Sequence, residues 1–156
     1  MKNLMLIAVL SVAFSMQLCA QKSDSKNVSE KVKTAFSTKF PDAQKIKWQL
    51  EDETEWEAEF KMNGREYSAN FDTEGNWKET EYEIKNSELP SNIRNILDKN
   101  FTDYEISDGE VVETSSGKSY ELELEVGEEE LDVTIDPLGN FTKKQESDEI
   151  DENDED

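Results

Sequence analysis

Histidine is absent from the chain, and in 156 residues there are one cysteine, three prolines and six glycines. Without histidine the Ser-His and Cys-His nucleophilic systems are excluded, and the usual zinc sites with them. The one thiol, Cys19, falls in an apolar leader, so the mature protein is expected to have neither a disulfide framework nor a thiol nucleophile and to be held by packing alone. Positive charge is scarce as well: 17 Lys and Arg stand against 38 Asp and Glu, a formal net charge of -21. A chain so acidic repels nucleic acid and anionic lipid headgroups and favours cationic partners or divalent ions. Nucleic-acid binding is thereby excluded. Glycine-rich phosphate loops are missing too. A paired-carboxylate hydrolase needs one acid with a raised pKa in an apolar cleft. The acids here recur in outward register, where solvent is expected to keep them ordinary, so no enzyme is expected.

Long hydrophobic runs are also lacking, apart from "LMLIAVLSVAFSMQLCA" at Leu4 to Ala20 behind Lys2. It is too short for a good membrane span and reads as a secretory signal with cleavage after Ala20, which leaves Gln21 first and no membrane insertion afterwards. Lipoprotein processing at Cys19 is the rival, disfavoured by the bulk of Leu18 before it. The expected location is periplasmic or secreted. At the other end, "ESDEIDENDED" has only Ile150 as a hydrophobe and buries too little to offset ordering entropy, so residues 146–156 are expected to be disordered.

Between these ends the chain divides into two similar stretches. Val28, Val32, Phe36 and Phe40 recur at helical spacing, and Leu89, Ile93, Leu97 and Phe101 do so sixty-one residues later. Ser29 and Ser87 are candidate caps, and Pro90 suits a helix's first turn. Strand-like alternation follows each helix. Trp56, Ala58, Phe60 and Met62 alternate with Glu55, Glu57, Glu59 and Lys61; Tyr120, Leu122, Leu124 and Val126 alternate with Glu121, Glu123 and Glu125 at an offset of sixty-four. "MNGR" and "VGEE" supply tight turns. Each half therefore reads as a helix and about four antiparallel strands, the first strand lying around Lys45 to Glu51. Alternation fails after Trp77, where Glu79 is expected to point inward and the fourth strand to lie at an edge or carry a bulge. Tyr82 and Ile84, in the opposite register to Trp77, then mark an exposed apolar patch. The expected organisation is a signal at 1–20, a linker at 21–27, repeats at 28–86 and 87–145, and the tail.

"FDTEGNW" at Phe71 to Trp77 returns as "IDPLGNF" at Ile135 to Phe141. In each, a type I turn ending in a positive-φ glycine, Gly75 or Gly139, makes a bulged hairpin headed by Asp72 or Asp136. A calcium loop would need acids at alternate positions before the glycine and a glutamate after it, and that pattern is missing. Trp48, Trp56 and Trp77 sit in apolar register and are assigned to the core.

These residues together resemble the PepSY-like family related to β-lactamase-inhibitor proteins: Trp48, Trp56 to Phe60, Tyr67 to Asp72, Gly75-Asn76-Trp77, Ser87 to Pro90, Tyr120 to Leu124 and Gly139. The resemblance runs from Val28 to about Lys144. It implies an α+β fold in which the two helix-plus-four-strand repeats form a curved, roughly eight-stranded antiparallel sheet, with both helices on one face and the other open to a partner. In the inhibitor that open face grips an enzyme, but no inhibitory residue carries over to this sequence. The related PepSY domain is associated with propeptides and with restraint of envelope proteases, so the resemblance implies a regulator or chaperone-like binder in the bacterial envelope, such as an inhibitor or regulator of an envelope enzyme.

If Trp56, Phe60, Leu122 and Leu124 face the helices, then Glu57, Glu59, Glu121, Glu123, Glu125, Glu130 and Asp132 share the opposite face. The bland reading is a solvated surface that protects against edge aggregation; the sharper one is a docking surface for a basic protein or peptide. No cofactor is expected, though weak calcium binding across this face, in a calcium-responsive acidic envelope protein, is the alternative. The protein is expected to be monomeric.

Overall fold

The computed structural model describes residues 25–145, so the expected signal, its cleavage site and the acidic tail lie outside the described residues. Helix α1 (Glu30–Lys39) leads into strands β1 (Gln44–Asp52), β2 (Glu55–Met62), β3 (Arg65–Asp72) and β4 (Trp77–Glu83). A single 3-10 turn (Asn86–Glu88) precedes helix α2 (Ser91–Asn100), followed by β5 (Tyr104–Thr114), β6 (Gly117–Val126), β7 (Glu129–Ile135) and β8 (Phe141–Gln145). The strands form one eight-stranded antiparallel sheet in chain order, with both helices on one face. This is the expected α+β architecture.

Ser29 caps α1, its hydroxyl accepting from the Val32 N–H. The expected cap at Ser87 does not form. Ser87 lies inside the 3-10 turn, and Pro90 itself occupies the cap position of α2 without a side-chain hydrogen bond. The three residues by which the second half is longer go into the β5–β6 hairpin, where both strands exceed their counterparts β1 and β2.

The core lies between helices and sheet in two clusters. Under α1, Phe36 is the hub, with ring centroids 5.1 Å from Phe60, 5.2 Å from Trp48 and 6.0 Å from Phe71. Edge-on packing of this kind adds to the free energy of burial itself. Under α2 the buried residues are aliphatic: Ile93 and Leu97 against Leu122, Leu124, Leu131, Val133 and Ile135. Trp48 and Trp56 are buried as expected, whereas Trp77 is only partly so; its indole N–H donates to Thr80 and the Lys39 ammonium stands 3.4 Å from its ring centroid.

Of the two expectations for strand β4, an edge position or a bulge, the structure shows the bulge and not the edge. The strand lies in the middle of the sheet, paired to β3 on one side and β5 on the other. At its bulge Phe71 pairs with Trp77, but Asn70 pairs with Glu79, so Lys78 is the extra residue and the facing of every later side chain reverses. Glu79 therefore points away from the helices, and Tyr82 points toward them. Tyr82 packs against Tyr67 with centroids 5.1 Å apart and accepts from Lys118, while Ile84 joins the α2 cluster. The expected exposed apolar patch at these two residues does not exist.

Candidate functional site: the open face of the sheet

Both repeated turns are held by their aspartates. The Asp72 carboxylate accepts from the backbone N–H groups of Glu74 and Asn76 and from the Asn76 side chain, while Gly75 N–H donates to the Asp72 carbonyl and closes the turn at φ +78°. Asp136 repeats this with Leu138, Asn140 and Gly139, the glycine at φ +80°. Hydrogen bonds to the charged form, first of all from Asn76, hold Asp72 at a pKa of about 2, and those from Asn140 lower Asp136. Each carboxylate is thus spent on its own turn, which is the structural role read from the two motifs. Among the described residues no group of three or more acids is arranged to hold a metal ion.

Among the described residues no element is packed on the face away from the helices. Register places all seven acids singled out above on it: Glu57 and Glu59 on β2, Glu121, Glu123 and Glu125 on β6, and Glu130 and Asp132 on β7. They do not form one group. Three intervening strands put β2 roughly 19 Å from β6 at ordinary strand spacing. The gap is filled by Glu79, Glu81 and Glu83 of β4 and Glu110 of β5, which sequence reasoning missed. The signal for them was present, since Glu79, Glu81 and Glu83 alternate with Thr80, Tyr82 and Ile84; only a phase counted from Trp77 conceals it.

The pairing stacks these acids into three rungs. Glu83 opposes Glu110, which opposes Glu121; Asp108 opposes Glu123, which opposes Asp132; Glu105 opposes Glu125, which opposes Glu130. Opposed like charges on neighbouring strands are destabilising, by a few tenths to about 1 kcal/mol per pair. The ion pairs of this face lie on its other side, Lys47 with Glu59 at 3.0 Å and Lys61 with Glu66. None among the described residues reaches Glu79, Glu81, Glu83, Glu110 or Glu121.

Solvent does not keep these groups ordinary, contrary to expectation. Glu57 is only 7% exposed and accepts from Gln49, and Val112, at the centre of the face, is 6% exposed. Glu79, Glu81, Glu110 and Glu121 are half-buried. Burial, and then the charges of Glu110, Glu79, Glu121 and Glu57, push Glu81 up to about 8. Burial and then Glu121, Asp108, Glu83 and Glu79 push Glu110 up to about 7. Glu79 and Glu121 are raised as well, chiefly by burial. The face thus grades from a crowded, partly protonated centre at β4–β6 to fully solvated acids at Glu105, Glu125 and Glu130.

Comparison with known proteins bears on this arrangement. A sequence model of the family described as "Putative beta-lactamase-inhibitor-like, PepSY-like" matches residues 54–143. Three solved structures are similar in fold. A BLIP-like protein from Bacteroides fragilis superposes with a TM-score of 0.68 at 22% identity, over 79% of this chain and 89% of that one. A DUF2874 family protein from Bacteroides uniformis gives 0.65 at 18% identity, over 75% and 88%. A protein from Bacteroides eggerthii, described as one of the "putative periplasmic proteins", gives 0.65 at 18%, over 76% and 88%. No curated protein matches the sequence significantly. At these identities the structures speak for the fold.

Proposed function

Because the chain belongs to the PepSY-like, beta-lactamase-inhibitor-like family, we propose that it is a non-catalytic module of the bacterial envelope that binds a basic protein or peptide through its open acidic sheet face, acting as an inhibitor or regulator of an envelope enzyme. The observation that carries this reading is the stack of three acid rungs across β4–β7, which no described helix covers and which no ion pair among the described residues neutralises. Only at the β8 end does a lysine, Lys144, pair in register with a rung, opposite Asp132. A cationic partner seated there replaces repulsion by attraction, most strongly where the carboxylates are least solvated. Both the exposed acids Glu125, Glu130 and Asp132 and the more crowded Glu81, Glu110, Glu121 and Glu123 belong to this surface, with Glu57 and Glu59 at its far side.

Raised carboxylates are also what acid–base enzymes use. Here they stand on an open surface and are displaced in the same direction, largely by one another, whereas acid–base pairs need environments that push the two pKa values apart. The inhibitor-like description of the family and the periplasmic description of one similar structure agree with a binding role outside the cytoplasm. Among the described residues no helix is long and apolar enough to cross a membrane.

The test is capture from envelope extract by the chain from Gln21 to Asp156, beside a variant with Glu59, Glu81, Glu121 and Glu123 changed to Gln, at low and high salt. One stoichiometric basic partner, held by the parent at low salt and lost by the variant, is the expected result. Equal capture by both proteins, or none by either, rules the docking face out and makes a calcium titration the next experiment.

A further inference from the structure

Beyond the question of a partner, we propose that the open face is a pH-sensitive switch built on the crowding of Glu79, Glu81, Glu110 and Glu121: it is a partly protonated, cohesive surface in mildly acidic medium and a fully charged, self-repelling and less stable one in alkaline medium. The geometry comes first. Glu81 faces Ser68 of β3, with Glu66 and Asn70 to either side, and Val112 of β5, with Glu110 and Thr114 to either side. Beyond these strands stand Glu57 and Glu59 of β2 and Ser119 and Glu121 of β6. Glu110 lies between Glu83 and Glu121, with Asp108 on its own strand and Thr134 and Asp132 beyond on β7. Every charged group facing this pair from β4 to β7 is an acid; on the β1–β2 side Lys47 and Lys61 are held by Glu59 and Glu66, with Lys45 also acting on Glu66, and at the β8 end Lys144 pairs in register with Asp132. No ion pair among the described residues reaches Glu81 or Glu110, so protonation is what relieves their repulsion.

The raised values of Glu81, about 8, and Glu110, about 7, fix the window. In the unfolded chain a glutamate titrates near 4.5, so between there and about 8 the native state binds more protons than the unfolded one and stability falls as pH rises. Above about 8 the loss is complete. The absence of histidine leaves this window almost clear of other titrating groups.

Scanning calorimetry of the full chain from pH 5 to 9, with carboxyl-carbon NMR across the same range, tests the switch without any partner. The melting temperature of the wild type is expected to fall by about 5 °C or more. The double variant Glu81→Gln, Glu110→Gln is expected to fall less than half as far, and Glu113→Gln, on the helix face and paired with Lys118 at 3.2 Å, to follow the wild type. NMR is expected to find two carboxyls with midpoints above pH 6. A flat or rising melting temperature, a double variant with the wild-type slope, or carboxyl midpoints all below about 5.5 overturns it.

Discussion

The two faces of one sheet are built on opposite terms. Along β2, residues at alternate positions enter an interlocked aromatic cluster on one side, Trp56 and Phe60, and an acid array on the other, Glu55, Glu57 and Glu59. On the helix face each side chain gains from its neighbours; on the open face each carboxylate of the central rung is held near others that repel it. The difference teaches that the fold's stability comes mainly from the helix side, and that the centre of the other side keeps its charge at a cost to that stability.

The sharpest way to break the contrast is at the hub of the helix face. Phe36→Ala removes the ring that touches Phe40, Trp48, Phe60 and Phe71, and is expected to cost about 3–5 kcal/mol by chemical denaturation. A loss below about 1 kcal/mol would mean that the aromatic cluster is not what holds α1 to the sheet.

Next in size is the glycine at the tip of the first repeated turn. A Cβ on Gly75 would stand 3.1 Å from the Lys31 carbonyl and 3.4 Å from Ala35, while one on Gly139 would meet only the flexible end of Ile96, at 3.5 Å. Both glycines have positive φ, so each alanine carries a left-handed strain of about 1 kcal/mol. Gly75→Ala adds a collision with the α1 backbone and is expected to cost about 2 kcal/mol, twice the cost of Gly139→Ala. Equal losses in thermal melts would show that the α1 contact is not tight.

The open face should answer with the opposite sign. Glu81→Gln removes a half-buried charge from among like charges and is expected to stabilise the protein by about 1 kcal/mol at pH 9, after discounting for solvent screening. At pH 5, where the carboxyl is already protonated, the gain should disappear. Glu113→Gln, which breaks an exposed pair on the helix face, is expected to change stability by no more than about 0.5 kcal/mol at either pH. A destabilised Glu81→Gln at pH 9 would end the account of a face under electrostatic load.

How much of this was legible beforehand divides along the same line. The helix face could be read because Phe36, Trp56 and Leu124 obey simple periods, and the turns because an aspartate, a positive-φ glycine and an asparagine satisfy local hydrogen bonds within seven residues. The seven acids of β2, β6 and β7 were legible for the same reason. Their centre was not. A single extra residue, Lys78, reverses the facing of β4; the broken alternation after Trp77 marks an irregularity there without saying whether it is an edge or a bulge. Nor does the chain state that β4 pairs with β5, and it is that pairing which brings Glu83, Glu110 and Glu121 into one rung. The raised acids follow from long-range neighbours, which periodicity does not report.

The smallest effect completes the comparison at the acid end of the pH scale. Asp72 and Asp136 lie at the turns and, unlike Glu81, are ionised in the native state more readily than in the unfolded chain. The stability they contribute is present above an unfolded pKa near 3.8 and is lost as pH falls toward about 2, the folded value of Asp72. Asp72→Asn should therefore lower the melting temperature at pH 5 by less than any destabilising substitution in the core or turn above, and the difference should vanish by about pH 2, where the wild-type carboxyl is protonated as well. Because the turn aspartates lose stability toward acid and the crowded glutamates lose it toward alkali, wild-type stability should peak between the two limbs, at roughly pH 5. A peak above pH 7 would mean that the central glutamates are ionised without penalty, and the two faces would then differ in polarity alone.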